Sequence, residues 1–246
     1  MIPFKTKDFS FSIKSDFRDL TMKELNYIKD NIDDDVKTAE CLTGLTVDQL
    51  SRIDLTPIID VLQFINEPLK EIEPKQLITI NDKAYLLPER IITKTWYQKN
   101  RAFKYYENGE LALVIATYLE PIIRGKKKPN EKKVVELARQ LEDLSVYDFF
   151  ACFNYLELQI KDLAERLNNM PQPTITPEQI EAGAEDFNIL GEFVSIDNIA
   201  RTYSRTHDEV LLWPYSTIFN ILYKNNLNAI FETKYSAIMT KKAERK

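Results

Sequence analysis

Residues Ser145–Asn168 read SVYDFFACFNYLELQIKDLAERLN, and the rest of the chain is organised around this stretch. Its apolar positions are Val146, Phe149, Phe153, Leu156, Ile160, Leu163 and Leu167, spaced alternately three and four residues apart. That rhythm keeps one stripe on one side of an α-helix. Phe150, Ala151, Cys152 and Tyr155 make the first half apolar nearly all round, so it is expected to be enclosed. Lys161, Asp162, Glu165 and Arg166 narrow the second half to a seam that faces either the chain's own helices or another protein. Leu156, Ile160, Leu163 and Leu167 are therefore the first partner-binding candidates.

Composition bounds the fold class. A chain of 246 residues has room for one large or two modest domains, and 44% hydrophobic with 29% charged residues is ordinary globular usage. Only five glycines argue against Gly-rich phosphate loops and against turn-rich barrels or sandwiches. The net charge of −5 gives no global attraction to nucleic acid or an anionic membrane. Cys41 and Cys152 lie far apart in helical patterns and read as small buried hydrophobes. The start, MIPFKTKDF, has no apolar run, so neither a signal peptide nor a membrane span is expected, and the protein is expected in a cytosol.

Working outward, helix starts are marked repeatedly. Thr21 with Glu24, and Thr46 with Gln49, have capping-box spacing, flanked by the apolar pairs Leu20/Leu25 and Leu45/Leu50. Ser145 caps the central helix, Thr176 precedes Pro177 at a first helical position, and Gly44 ends the helix before Leu45. Helices are predicted over about 22–30, 34–43, 47–53, 57–66, 92–106, 110–120, 131–143 and 145–168. Four more follow over 177–189, 195–203, 206–212 and 214–226, the last running into a charged tail. A short strand alternates through Phe9–Ile13. Leu77–Ile80 and Ala84–Leu87 read as a hairpin joined through Asn81-Asp82-Lys83. Pro121 ends or kinks the 110–120 helix, on whose face Ile122 also falls. The expected architecture is mainly α: a multi-helix bundle with one small β-hairpin and a short N-terminal strand, plus a C-terminal helical module. Its parts are a helical domain over 1–170, a linker over 171–176 and the module over 177–246.

Catalytic patterns are absent. His207 is the single histidine and reads as an exposed residue at the first turn of a helix capped by Thr206. No G-x-S-x-G, P-loop or dinucleotide fingerprint occurs, and the acidic run Asp30, Asp33, Asp34, Asp35 lacks the alternation and glycine of a calcium loop. Neither a cofactor nor a metal is implied, and the chain reads as a non-enzyme. Arg124, Lys126, Lys127, Lys128, Lys132 and Lys133 form a basic loop suited to an electrostatic contact with an acidic partner, or to nucleic-acid phosphates. Among the aromatics, Tyr203, Trp213 and Tyr215 are the interface candidates.

Two stretches resemble a known family. Ala39–Leu50, with Leu42-Thr43-Gly44-Leu45-Thr46, continues through Ile53–Ile58 to Phe64 and resembles the helical pair of tailed-phage tail assembly chaperones. Asp19–Glu24 is similar to the segment preceding that pair. Further on, Leu113–Leu119, the basic loop, and Leu137–Phe150 with Leu144 and Phe149-Phe150 resemble a later helix, an open charged loop and a helix of the same family. Phe193–Ala200 and Asp208-Glu209-Val210 resemble a short module appended to some tail morphogenesis proteins. The resemblance implies an all-helical protein that binds apolar segments of tape-measure or other tail proteins during assembly in the host cytoplasm, in a family often made in short and frameshift-extended forms. The alternatives left open are a structural virion component (neck, ring or tail), with a possible homo-oligomer, and a nucleic-acid-binding protein acting through residues 124–133.

Overall fold

The computed structural model describes residues 1–6, 10–61, 63–66, 72–119 and 130–244 and is mainly α-helical. In chain order the elements begin with β1 (Ile2–Lys5), β2 (Ser10–Ile13), α1 (Met22–Asp30), α2 (Asp35–Thr43), α3 (Val47–Leu50), α4 (Thr56–Val61) and α5 (Gln63–Asn66). Then come β3 (Leu77–Ile80), β4 (Lys83–Leu86), α6 (Trp96–Glu107), α7 (Leu111–Leu119), α8 (Glu131–Glu142) and α9 (Val146–Asn168). The last are α10 (Pro177–Glu181), α11 (Glu192–Thr202), α12 (His207–Leu211) and α13 (Tyr215–Ala243), with 3₁₀ turns at Ile91–Thr93 and Ala184–Leu190.

The caps act as read. Thr21 and Glu24 satisfy each other's backbone N–H groups at 3.2 and 3.0 Å, and Thr46/Gln49, Thr176/Gln179 and Thr206/Glu209 close the same reciprocal box. Desolvation would raise the Glu24 carboxyl, but Lys14 and the Thr21 N–H outweigh it and hold it below its usual range. Gly44 ends α2 in the left-handed conformation at φ 71°, with nothing within 4 Å of where a Cβ would stand. Gly44→Ala is therefore a purely conformational penalty. We expect a loss of about 1 kcal/mol, read as a lower urea midpoint with an unchanged slope.

Several boundaries differ from expectation. The N-terminal strand has a partner: β1 pairs with β2 antiparallel, Phe4 stacks on Phe11 at 5.6 Å, and Ile13 is fully buried. The β3–β4 hairpin closes through two residues rather than three. Asn81 and Asp82 both take positive φ, 48° and 62°, as a tight two-residue turn requires, and Lys83 joins the strand opposite Ile80. The helix over 57–66 is recorded as α4 and α5, with Leu62 outside the described residues. The helix over 177–189 stops at Glu181 because Gly183 turns at φ 86° into a 3₁₀ segment. The last helix does not stop near 226 but runs to Ala243.

The chain groups into two compact units, and the proline-rich stretch is not the divide. Among the described residues, the first unit holds 1–87, 108–119 and 130–157, and the second holds 88–107 and 158–244. Residues 171–176 are without helix or strand, as a linker should be. They are nonetheless tied within the second unit, where the Asn226 amide donates to the Pro171 carbonyl at 2.7 Å. The C-terminal segment is built on residues around α6: Trp96 N–H donates to the Trp213 carbonyl at 3.0 Å, and Tyr215 N–H to that of Lys94 at 2.7 Å. This pairing is why the expected division at 170/177 does not describe the contacts. In the first unit the starts of α1 and α9 are stitched together, Met22 N–H to the Leu144 carbonyl at 3.0 Å and Val146 N–H to that of Leu20 at 2.8 Å.

Candidate functional site

That stitch sets the geometry of an open cleft in the first unit. It brings Met22 at the head of α1 beside Phe149 and Phe150 at the head of α9. The first turn of α7 adds Leu111, Ala112 and Leu113, and α8 closes the far side with Ala138. The cavity is about 430 Å³. Its floor is apolar, while Lys29, Glu110 and Glu142 of both signs stand around it. Phe150 meets Phe149 edge to face at 5.5 Å and Phe153 at 6.3 Å, so its ring is held in place while remaining partly exposed. An apolar concavity with charged surroundings can take up a compact apolar group.

The sequence treated Phe150 as part of an enclosed segment, and Met22 and Leu113 carried no signal of their own. What marked them was membership in the stretches quoted for the family resemblance. Met22 falls in 19–24, Leu113 in 113–119, and Ala138, Phe149 and Phe150 in 137–150.

The proposed seam faces inward. Leu156, Ile160 and Leu163 are 0, 3 and 1% exposed, so the chain itself covers them and they are withdrawn as partner-binding positions. Leu167 is half-buried. Tyr215 is buried as well, 2% exposed and packed near Trp96, and is likewise withdrawn. Burial pushes its phenol well above the ordinary range. Trp213 is half-buried with the ring of Tyr203 against it at 5.4 Å, and Tyr203 stays exposed. Of the basic loop, Lys132 and Lys133 are exposed on the first turn of α8, while Arg124, Lys126, Lys127 and Lys128 lie outside the described residues. So do Phe9, Pro121 and Ile122.

A second cleft, about 560 Å³, lies beside the hairpin, lined by Leu77, Thr79, Leu86, Asp148 and Cys152. Burial, with the Asp148 charge adding to it, pushes the Cys152 thiol up to about 11, and its Sγ lies 3.8 Å from the Leu77 carbonyl. A thiol protonated at neutral pH is a poor nucleophile. Burial also raises Cys41. His207 sits at the start of α12 with Nε2 3.1 Å from Asp197, whose carboxyl is lowered first by that hydrogen bond and further by Arg201. Among the described residues no cluster of three or more His, Cys, Asp or Glu is arranged to hold a metal ion, and no helix is long and apolar enough to cross a membrane. Compared with known proteins, the chain matches no family model, no curated protein and no solved structure.

Proposed function

We propose that the chain is a non-enzymatic phage morphogenesis protein of the tail-assembly-chaperone kind. It holds an apolar helical segment of a tape-measure or other tail protein in the first-unit cleft. One observation supports the reading: three of the stretches that resemble that family, 19–24, 113–119 and 137–150, each contribute apolar residues to one cleft, while 39–64 and 193–210 contribute none. Its volume falls in the ~300–1,000 Å³ range of sites that admit a compact apolar group. The setting is the host cytoplasm during assembly, with no cofactor required.

Co-expression with the tail and tape-measure proteins of the same genome tests this. The full chain is expected to keep one of them soluble and co-purify with it. Phe150→Glu, at a partly exposed position, is expected to fold normally yet lose at least about tenfold in retention. No retention by the unaltered chain, or retention indifferent to Phe150, overturns the proposal. Mass spectrometry of purified particles separates the two assembly roles: a chaperone is absent, whereas a neck, ring or tail component is present at fixed stoichiometry.

A further inference from the structure

We propose that the exposed part of α13 is a docking surface for an amphipathic helix of a partner protein, one whose apolar stripe is bordered by carboxylates. This surface is separate from the cleft, which no residue of α13 lines.

From Leu227 to Glu244 no side chain is buried, although the helix is continuous to Ala243. The exposed residues include Tyr223, Leu227, Phe231, Tyr235, Ile238 and Met239, between 39 and 61% accessible. The first five follow one another by 4, 4, 4 and 3 residues, so they form one ridge along the helix. Within the helix, Phe231 and Tyr235 stack on each other at 5.9 Å, which leaves the rest of both rings to water. The ridge is not backed by strong helix formers: Asn225, Asn226, Asn228, Thr233 and Ser236 are interspersed. A helix of that composition draws its stability from a packed apolar face.

The charges say what covers it. Lys224 and Lys242 are eighteen residues apart, five full turns, so they share one azimuth, inside the arc that the ridge spans, and stand about 27 Å apart along it. Lys234 and Lys241 border one side. None of the four pairs with a carboxylate among the described residues. The segment thus carries four lysines against Glu232 and Glu244, in a chain whose net charge is −5. The complement is an apolar ridge with acidic ends and flank. A second copy of the chain fits poorly: parallel pairing sets each end lysine against itself, and antiparallel pairing sets Lys224 against Lys242. A lipid surface fits poorly too, because the end lysines lie on the apolar face and the opposite face carries Asn225, Thr233, Ser236 and Thr240 rather than lysines.

The test uses the full chain and a fluorescent synthetic helix of about 20 residues, with leucines at helical spacing and glutamates bordering them. A control peptide replaces the glutamates by lysines. Anisotropy titration is expected to show the acidic peptide binding at least about tenfold tighter than the control, more weakly as salt rises. Phe231→Ser is expected to lose about tenfold without altering the thermal melt, and Lys224→Glu with Lys242→Glu to reverse the peptide preference. Phe150→Glu is expected to leave this binding unchanged, which keeps it distinct from the cleft. Equal or absent binding of the two peptides overturns the proposal. A Phe231-dependent dimer in sedimentation, or Phe231-dependent binding to vesicles with about 30% phosphatidylserine, overturns it in favour of a second copy or a lipid surface.

Discussion

Leu156→Asp is expected to leave a chain without a cooperative thermal transition, while Leu158→Asp, two residues on, melts within a few degrees of the unaltered protein. Both positions lie in α9 and both substitutions are chemically identical, so the comparison isolates burial. Leu156 is completely buried and Leu158 is 59% exposed. Removing a buried leucine side chain costs about 2–5 kcal/mol before any charge is considered. Placing a carboxylate in the space adds the cost of an unpaired buried charge, or of protonating it, again several kcal/mol. Domain stabilities run at about 5–15 kcal/mol, so the sum removes most or all of it. At Leu158 the new carboxylate stays in water, and the change is expected to lie within about 0.5 kcal/mol. Circular dichroism with temperature reads both. Equal melting of the two variants would show that the 146–163 stripe is not the enclosed side of the helix.

This pair also marks the division between what the sequence determines and what it leaves open. Periodicity located the stripe of α9 and its direction, because helix geometry is local. It did not decide between the chain's own helices and a partner, because a covered stripe and a binding stripe have the same spacing. The capping boxes at Thr21 and Thr46, and the caps at Thr176 and Thr206, were legible for the same local reason: each rests on residues no more than three positions apart. The end of α13 was not. The polar run Lys224-Asn225-Asn226 looks like a stop, yet Leu227, Phe231 and Tyr235 continue the turn beyond it. The cleft was the least visible feature. Phe150 and Met22 line it together because Val146 and Leu20, 126 positions apart in the chain, share a backbone hydrogen bond. No window of sequence contains that pairing. The units follow the same logic: a proline-rich stretch is a plausible divide, but the contacts that decide membership join residues 94–100 to residues 192–215.

Those contacts converge on one side chain, and Glu192→Ala is expected to loosen the C-terminal part of the second unit while leaving the first unit folded. The Glu192 carboxylate accepts from Trp96 Nε1 at 3.0 Å, from Lys99 Nζ at 2.9 Å, and from the Asn100 amide. Its donors lie on consecutive turns of α6, so one residue at the head of α11 fixes the approach of both elements. Lys99 is the costly partner. Its side chain is 7% exposed, with the rings of Phe103 and Tyr215 at 4.9 and 5.1 Å, and cation–π attraction alone does not replace a carboxylate. Removing one member of a fully buried pair costs about 3–5 kcal/mol. Glu192 is itself 48% exposed, so water replaces part of the loss and about 2–3 kcal/mol is the expected figure here. Glu192→Gln keeps an acceptor for the indole but no charge for Lys99, and is expected to fall between. Hydrogen exchange reads the outcome region by region: amides of α11 and α12 are expected to lose protection about 30-fold or more in the alanine variant, with α1, α8 and the first half of α9 unchanged. Uniform loss across both units would mean that they unfold as one. No loss at α11 would mean that the carboxylate is dispensable and that packing between Trp96 and Tyr215 holds the segment in place.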